Sequence, residues 1–183
     1  MPLVKRGTKR FCLPKTVVQG ILLLHRNNNN AGMIRSLLWD QDKIVKKMVA
    51  EAGTADVRVD QAIALVNQFG FTMVYQPLLK NPMHVFKRKA GLYLLICLLT
   101  YTDGDTDKHA LLYDSEASQH EAAGSSAKAY GRLMDCQRYV GGREQGSVLV
   151  YDHDAAELPK AIAALEGLYD TTRVHVKEVY LLD

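Results

Sequence analysis

The sequence predicts an α+β fold, with an N-terminal helical half packed on a mostly antiparallel β-sheet. Three observations carry that expectation. Apolar residues recur at helical spacing as far as Phe69, and beyond it the pattern changes to apolar runs and alternation of strand length. Helices first and strands afterwards is the order of an α+β chain, not of repeated βαβ units. The strand-like runs are joined by polar, turn-forming segments such as Tyr101 to Asp107, which suit antiparallel neighbours.

Leu13 to His25 reads as the first helix, with Pro14 in its first turn, where a missing N–H costs little. Val17, Ile21, Leu22 and Leu24 form its apolar side, and the polar run Asn27–Asn30 ends it as an exposed loop. Met33 to Ala52 is the second helix, with Ile34, Leu37, Leu38, Ile44, Val45 and Met48 at helical spacing and Gly53 as a stop. A third runs from Asp60, as N-cap, to Phe69, with Gly70 ending it. Phe71 to Leu79 then reads as a strand, and Gly91 to Tyr101 as a strand buried on both faces. His109 to Tyr113 returns from the turn. Ser115 to Lys128, small and polar, is a loop, and Arg132 to Asp135 and Ser147 to Tyr151 are short strands. Asp154-Ala155-Ala156-Glu157 has the form of a capping box opening a helix to about Leu168. Arg173 to Leu182 closes the chain as an alternating strand, with Val174, Val176, Val179 and Leu181 apolar and one break at Glu178.

The 183 residues fit one domain spanning 1–183, with a basic arm at 1–11. No apolar run reaches the roughly 20 residues of a membrane-spanning helix, so no membrane role is expected. Cys12, Cys97 and Cys136 are too few and too scattered for a disulfide framework, and none forms a CxxC pair. They point to a reducing, intracellular compartment. The formal net charge of +3 is uneven, for no acid precedes Asp40 while Lys5, Arg6, Lys9, Arg10 and Lys15 crowd the start. Such an arm suits RNA or an acidic protein partner, or is plain solvated charge. It also has the composition of a mitochondrial leader, but Cys12-Leu13-Pro14-Lys15 opens a structural helix almost at once, which favours the cytoplasm. Asp103, Asp105 and Asp107 alternate around Gly104 without the closing Glu of a calcium loop. The remaining histidines show no metal-ligand spacing, so neither metal nor other cofactor is expected.

Three residues can carry chemistry together. A thiol nucleophile acts as the thiolate, which a helix N-terminus favours while its backbone N–H groups await a developing oxyanion. Cys12 stands at that point. His109, at the start of a returning strand, can serve as its general base, and Asp135, at the end of a neighbouring strand, can hold the imidazole. Cys97 lies inside the apolar run Gly91–Thr100 and reads as a small buried hydrophobe.

The order of Cys12 opening the first long helix, then Gly91–Tyr113 as strand, turn and His-strand, then Gly131–Asp135, resembles the papain-like cysteine peptidases in their minimal forms. The order covers nearly the whole chain. That resemblance implies a Cys-His-Asp thiol hydrolase of peptide or isopeptide bonds, acting on a protein or peptide. Two features depart from the family pattern. No Gln or Asn stands between Lys5 and Phe11, where the family usually supplies a side chain to the oxyanion site. The stretch from His109 to Asp135 is also long, with Ser115–Lys128 as an inserted loop. A second reading therefore stays open: a non-catalytic domain of the same fold, a pseudoenzyme serving as a structural or interaction subunit of a larger, RNA-containing assembly.

Overall fold

A computed structural model describes residues 12–53, 57–78, 85, 89–117, 130–136, 138–140, 143–145, 149–154, 158–169 and 171–183. Three helices come first: α1 (Cys12–Asn27), α2 (Ala31–Ala52) and α3 (Val59–Gln68). Among the described residues, eight strands and one more helix follow: β1 (Met73–Gln76), β2 (Leu92–Tyr101), β3 (Thr106–Asp114), β4 (Tyr130–Asp135), β5 (Arg138–Val140), β6 (Arg143–Gln145), β7 (Leu149–Asp154), α4 (Leu158–Tyr169) and β8 (Thr171–Leu182). β1, β8, β2, β3, β4 and β7 form one antiparallel sheet in that order, and β5 pairs with β6. The α+β class read from the sequence is the class found.

The sheet separates two apolar clusters, which explains the unbroken hydrophobic run of β2. Leu92, Leu94 and Ile96 pack with Val17, Ile21 and Val66 of the helical half. Tyr93, Leu95, Cys97 and Leu99 turn the other way, towards Leu158 and Ala161 of α4. A strand covered on both faces has no reason to alternate. Helix α1 lies close against the sheet because Gly20 permits it. A Cβ there would meet the Leu182 side chain at 2.8 Å and Leu112 at 3.4 Å.

Several element ends differ from expectation for local reasons. The polar run after α1 is shorter as a loop than expected, since Asn27 still belongs to α1 and Asn30 caps α2, its Oδ1 accepting from the Met33 N–H at 3.2 Å. Asp60 is not the N-cap of α3. It sits inside the first turn and pairs with Arg58, while Gln61 Oε1 accepts the Arg58 N–H at 3.0 Å. Gly70 does end α3, in the left-handed region with φ +82°, and its N–H and that of Phe71 donate to the carbonyls of Asn67 and Val66. The first strand is only Met73–Gln76, because β8 offers it four partners. Asp154 is the last residue of β7, paired with Tyr130, and α4 opens at Leu158.

The break in alternation near the C-terminus has a specific cause. Ile96 pairs with Glu178, but the next residue, Cys97, pairs with Val176. Lys177 is therefore the extra residue of a β-bulge, which reverses the parity of β8. Even-numbered Val174 and Val176 share the α4 side with odd-numbered Val179 and Leu181. Tyr180 and Leu182 face the helical half. Among the described residues, no helix is long and apolar enough to cross a membrane.

Candidate active site

β4 pairs with β3 only from Leu112 to Asp114. Further along β3, His109 and Ala110 lie beyond that pairing, and the first turn of α1 meets the strand there. Thr16 marks the contact: its Oγ1 donates to the Ala110 carbonyl at 3.3 Å. The bond satisfies a buried strand carbonyl that the β4 ladder no longer reaches. One helical turn before Thr16 is Cys12, the first residue of α1.

His109 is directly opposite Cys97 on β2, so its side chain leaves β3 on the side of Leu111 and Tyr113. Asp135, at the end of β4, follows Leu133 by two and points the same way. These two parities bring the side chains together: His109 Nε2 donates to Asp135 Oδ1 at 3.0 Å. His109 is 2% exposed and Asp135 1%. Burial by itself opposes a charged imidazole. The Asp135 charge and hydrogen bond, with the Cys12 thiol beside the ring adding to them, outweigh burial and hold the His109 pKa well above its ordinary value.

The other two cysteines surround this pair without resembling Cys12. Burial pushes the Cys97 thiol up to about 12, and the Cys136 thiol likewise to about 12. Both are protonated and inert at neutral pH. Cys12, by contrast, lines a cavity of about 270 Å³ together with His109. Val57, Arg58 and Val59, leading into α3, form one wall, and Ile96, Ala110 and Glu178 lie along the sheet. Asp107 and Lys108 of the β2–β3 hairpin complete it.

Cys12, His109 and Asp135, the three residues singled out by chemistry in the sequence, thus converge. Lys5, Arg6, Lys9 and Arg10 lie outside the described residues. Asp103 and Asp105 lie in the hairpin tip, where Asp103 Oδ1 accepts the Asp105 N–H at 3.2 Å, while Asp107 already belongs to β3. Among the described residues no group of three or more His, Cys, Asp or Glu side chains is placed to hold a metal ion. Two further residues at the site escaped the sequence reading. Thr16 was visible only as the position four after Cys12, on the same helix face. Glu178 announced itself as the break in alternation, but not as part of a cavity.

No family model matches the chain, and no curated protein matches it. Among solved structures, the crystal structure of the Pseudomonas avirulence protein AvrPphB is similar over 92% of this chain and 90% of that one. The identity is 12% and the TM-score 0.41. A likeness that loose says nothing of activity.

Proposed function

We propose that the chain is a papain-like thiol hydrolase acting on a peptide or isopeptide bond. Cys12 is the nucleophile, His109 the acid and base, and Asp135 the group that orients and charges His109. One observation carries this reading: a buried, hydrogen-bonded His–Asp pair meets a cysteine at a helix N-terminus, and that cysteine opens on a cavity. A structural role needs none of that alignment, since two buried ionisable groups cost stability that an apolar pair would not.

The chemistry follows from the geometry. His109 takes the Cys12 thiol proton as Sγ attacks the carbonyl carbon, while the backbone N–H groups at the start of α1 face the oxyanion. As the tetrahedral intermediate collapses, the C–N bond breaks and the amine leaves with the proton of His109. Water then attacks the thioester as His109 takes its proton, the C–S bond breaks, and His109 returns that proton to Sγ as the acid departs. Asp135 keeps the ring oriented through both halves.

The non-catalytic reading is favoured by one feature, the absence of Gln or Asn between Lys5 and Phe11 to complete the oxyanion site. Loss of one such donor costs on the order of 100- to 1,000-fold in rate. In that reading Lys5, Arg6, Lys9 and Arg10 contact RNA or another polyanion, and binding falls steeply with salt. The deciding experiment incubates the full chain and Cys12→Ala with a peptide library and reads new N-termini by mass spectrometry. A thiol hydrolase yields Cys12-dependent cleavage and an acyl adduct on Cys12 after rapid acid quench. Neither product, together with salt-sensitive RNA binding, selects the interaction domain.

A further inference from the structure

The bulge at Lys177 does more than reverse the parity of β8. It turns Glu178 onto the sheet face that carries Ile96 and Ala110, because Glu178 is paired with Ile96 and Ile96 with Ala110. The three form a row across the cavity, with Glu178 two strands from β3. Strands are spaced about 4.8 Å apart, so its backbone lies about 10 Å from the strand that bears His109.

The carboxylate is held in place. Tyr180 Oη donates to Glu178 Oε2, and the Tyr180 ring packs edge-on against Tyr75 of β1, with centroids 5.6 Å apart. Burial and the Glu178 hydrogen bond both push the Tyr180 hydroxyl pKa upward, so it remains a neutral donor. Among the described residues no cation pairs with Glu178. Arg58 and Lys108 also line the cavity, and Arg58 is already engaged by Asp60 through two bonds of 2.9 and 3.0 Å. The cavity therefore holds a half-buried, oriented carboxylate that no cation pairs with among the described residues, about two strand spacings from the strand that bears His109.

We propose that Glu178 selects substrates carrying arginine or lysine beside the bond to be cleaved. The inference rests on Cys12 being the nucleophile. The apolar stem of such a side chain lies along Val57, Val59 and Ile96, and the cationic head meets Glu178. A plain structural role, satisfying the Tyr180 hydroxyl, needs an acceptor but no charge. Glu178→Gln separates the two, since the amide oxygen still accepts from Tyr180.

The test uses the full chain and three dipeptidyl chloromethyl ketones ending in arginine, citrulline or glutamate. Each alkylates a thiol by forming an S–C bond as chloride leaves, so turnover is not required. Modification of Cys12 is followed by mass spectrometry, with iodoacetamide as the uncharged reference. The expected result is arginine faster than citrulline by about tenfold or more, the scale of one charge-assisted hydrogen bond, and glutamate slowest. In Glu178→Gln the arginine-to-citrulline ratio falls to near one. Equal rates for arginine and citrulline in the native chain, or an unchanged ratio in Glu178→Gln, overturn the inference while leaving Cys12 a reactive thiol. Should even iodoacetamide leave Cys12 unmodified in the native chain, the nucleophile itself is refuted and the inference falls with it.

Discussion

Each end of helix α1 meets a buried histidine, and the two environments are opposite. At the C-terminal end His25, 5% exposed, is ringed by Phe69 and Phe71, the nearer centroid 4.7 Å away. Its Nε2 is buried without a hydrogen-bond partner among the described residues, and burial lowers its pKa. At the N-terminal end His109 is as deeply buried, yet Asp135 and Cys12 reverse the effect and raise its pKa. Burial alone therefore says little about what a histidine does. The partner decides, and a carboxylate beside a buried imidazole is what separates a reactive site from a packed core.

Breaking that partnership should produce the largest effect. Asp135→Ala leaves the buried His109 without its counter-charge and should cost about 3–5 kcal/mol, the usual result of removing one member of a buried pair. The urea midpoint measures it. A loss below about 1 kcal/mol would mean that Asp135 is dispensable to the fold and that the two histidines differ less than described.

The next effect concerns pH, where the two ends should act in opposite directions. His109 has a folded pKa above its unfolded value of about 6.5. Its stabilising contribution is fully present below that value and is lost as pH rises through the folded pKa. His25 has a depressed folded pKa, so the unfolded chain takes up its proton first as pH falls. Stability present above about pH 6.5 is then lost as pH falls through the folded value. Denaturant midpoints across this range should show both losses. Asp135→Asn should remove the alkaline one, and His25→Leu the acidic one. If either variant leaves its own limb unchanged, the assignment of that limb is wrong.

These two residues also show how far a sequence can be read. Cys12 and Asp135 could be found because they open and close elements, and His109 because its strand follows a legible turn, although that strand begins at Thr106 and His109 lies inside it, not at its start. What the sequence could not show was that β4 pairs with only part of β3, leaving Ala110 and His109 for α1 to meet. That depends on tertiary pairing, which no local pattern encodes. The break at Glu178 was visible, but a bulge at Lys177 appears only when the partner strand is known. Asp154 itself closes β7 in pairing with Tyr130, and the rest of the expected capping box, residues 155–157, lies outside the described residues. Strands β5 and β6, three residues each, are too short for alternation to reveal.

A smaller effect tests the helix that joins the two ends. Gly20→Ala gains about 1 kcal/mol of helix propensity. The added Cβ meets Leu182 at 2.8 Å inside a closed core, and overpacking of this kind costs about 1–3 kcal/mol. A net loss of up to about 2 kcal/mol is expected in the same denaturant assay. A net gain would show that α1 can move off the sheet without harm, and the placement of Cys12 against His109 would then not depend on that close approach.

The most direct measurement is the rate of iodoacetamide modification at each cysteine at pH 7, resolved by mass spectrometry, in the native chain and in His109→Ala. Cys12 should react at least about tenfold faster than Cys97 and Cys136, whose thiols are protonated at that pH. His109→Ala should remove that advantage, whereas Asp135→Asn should reduce it less. A Cys12 that reacts no faster than a free thiol, and does not respond to the loss of His109, would contradict the reactive site altogether.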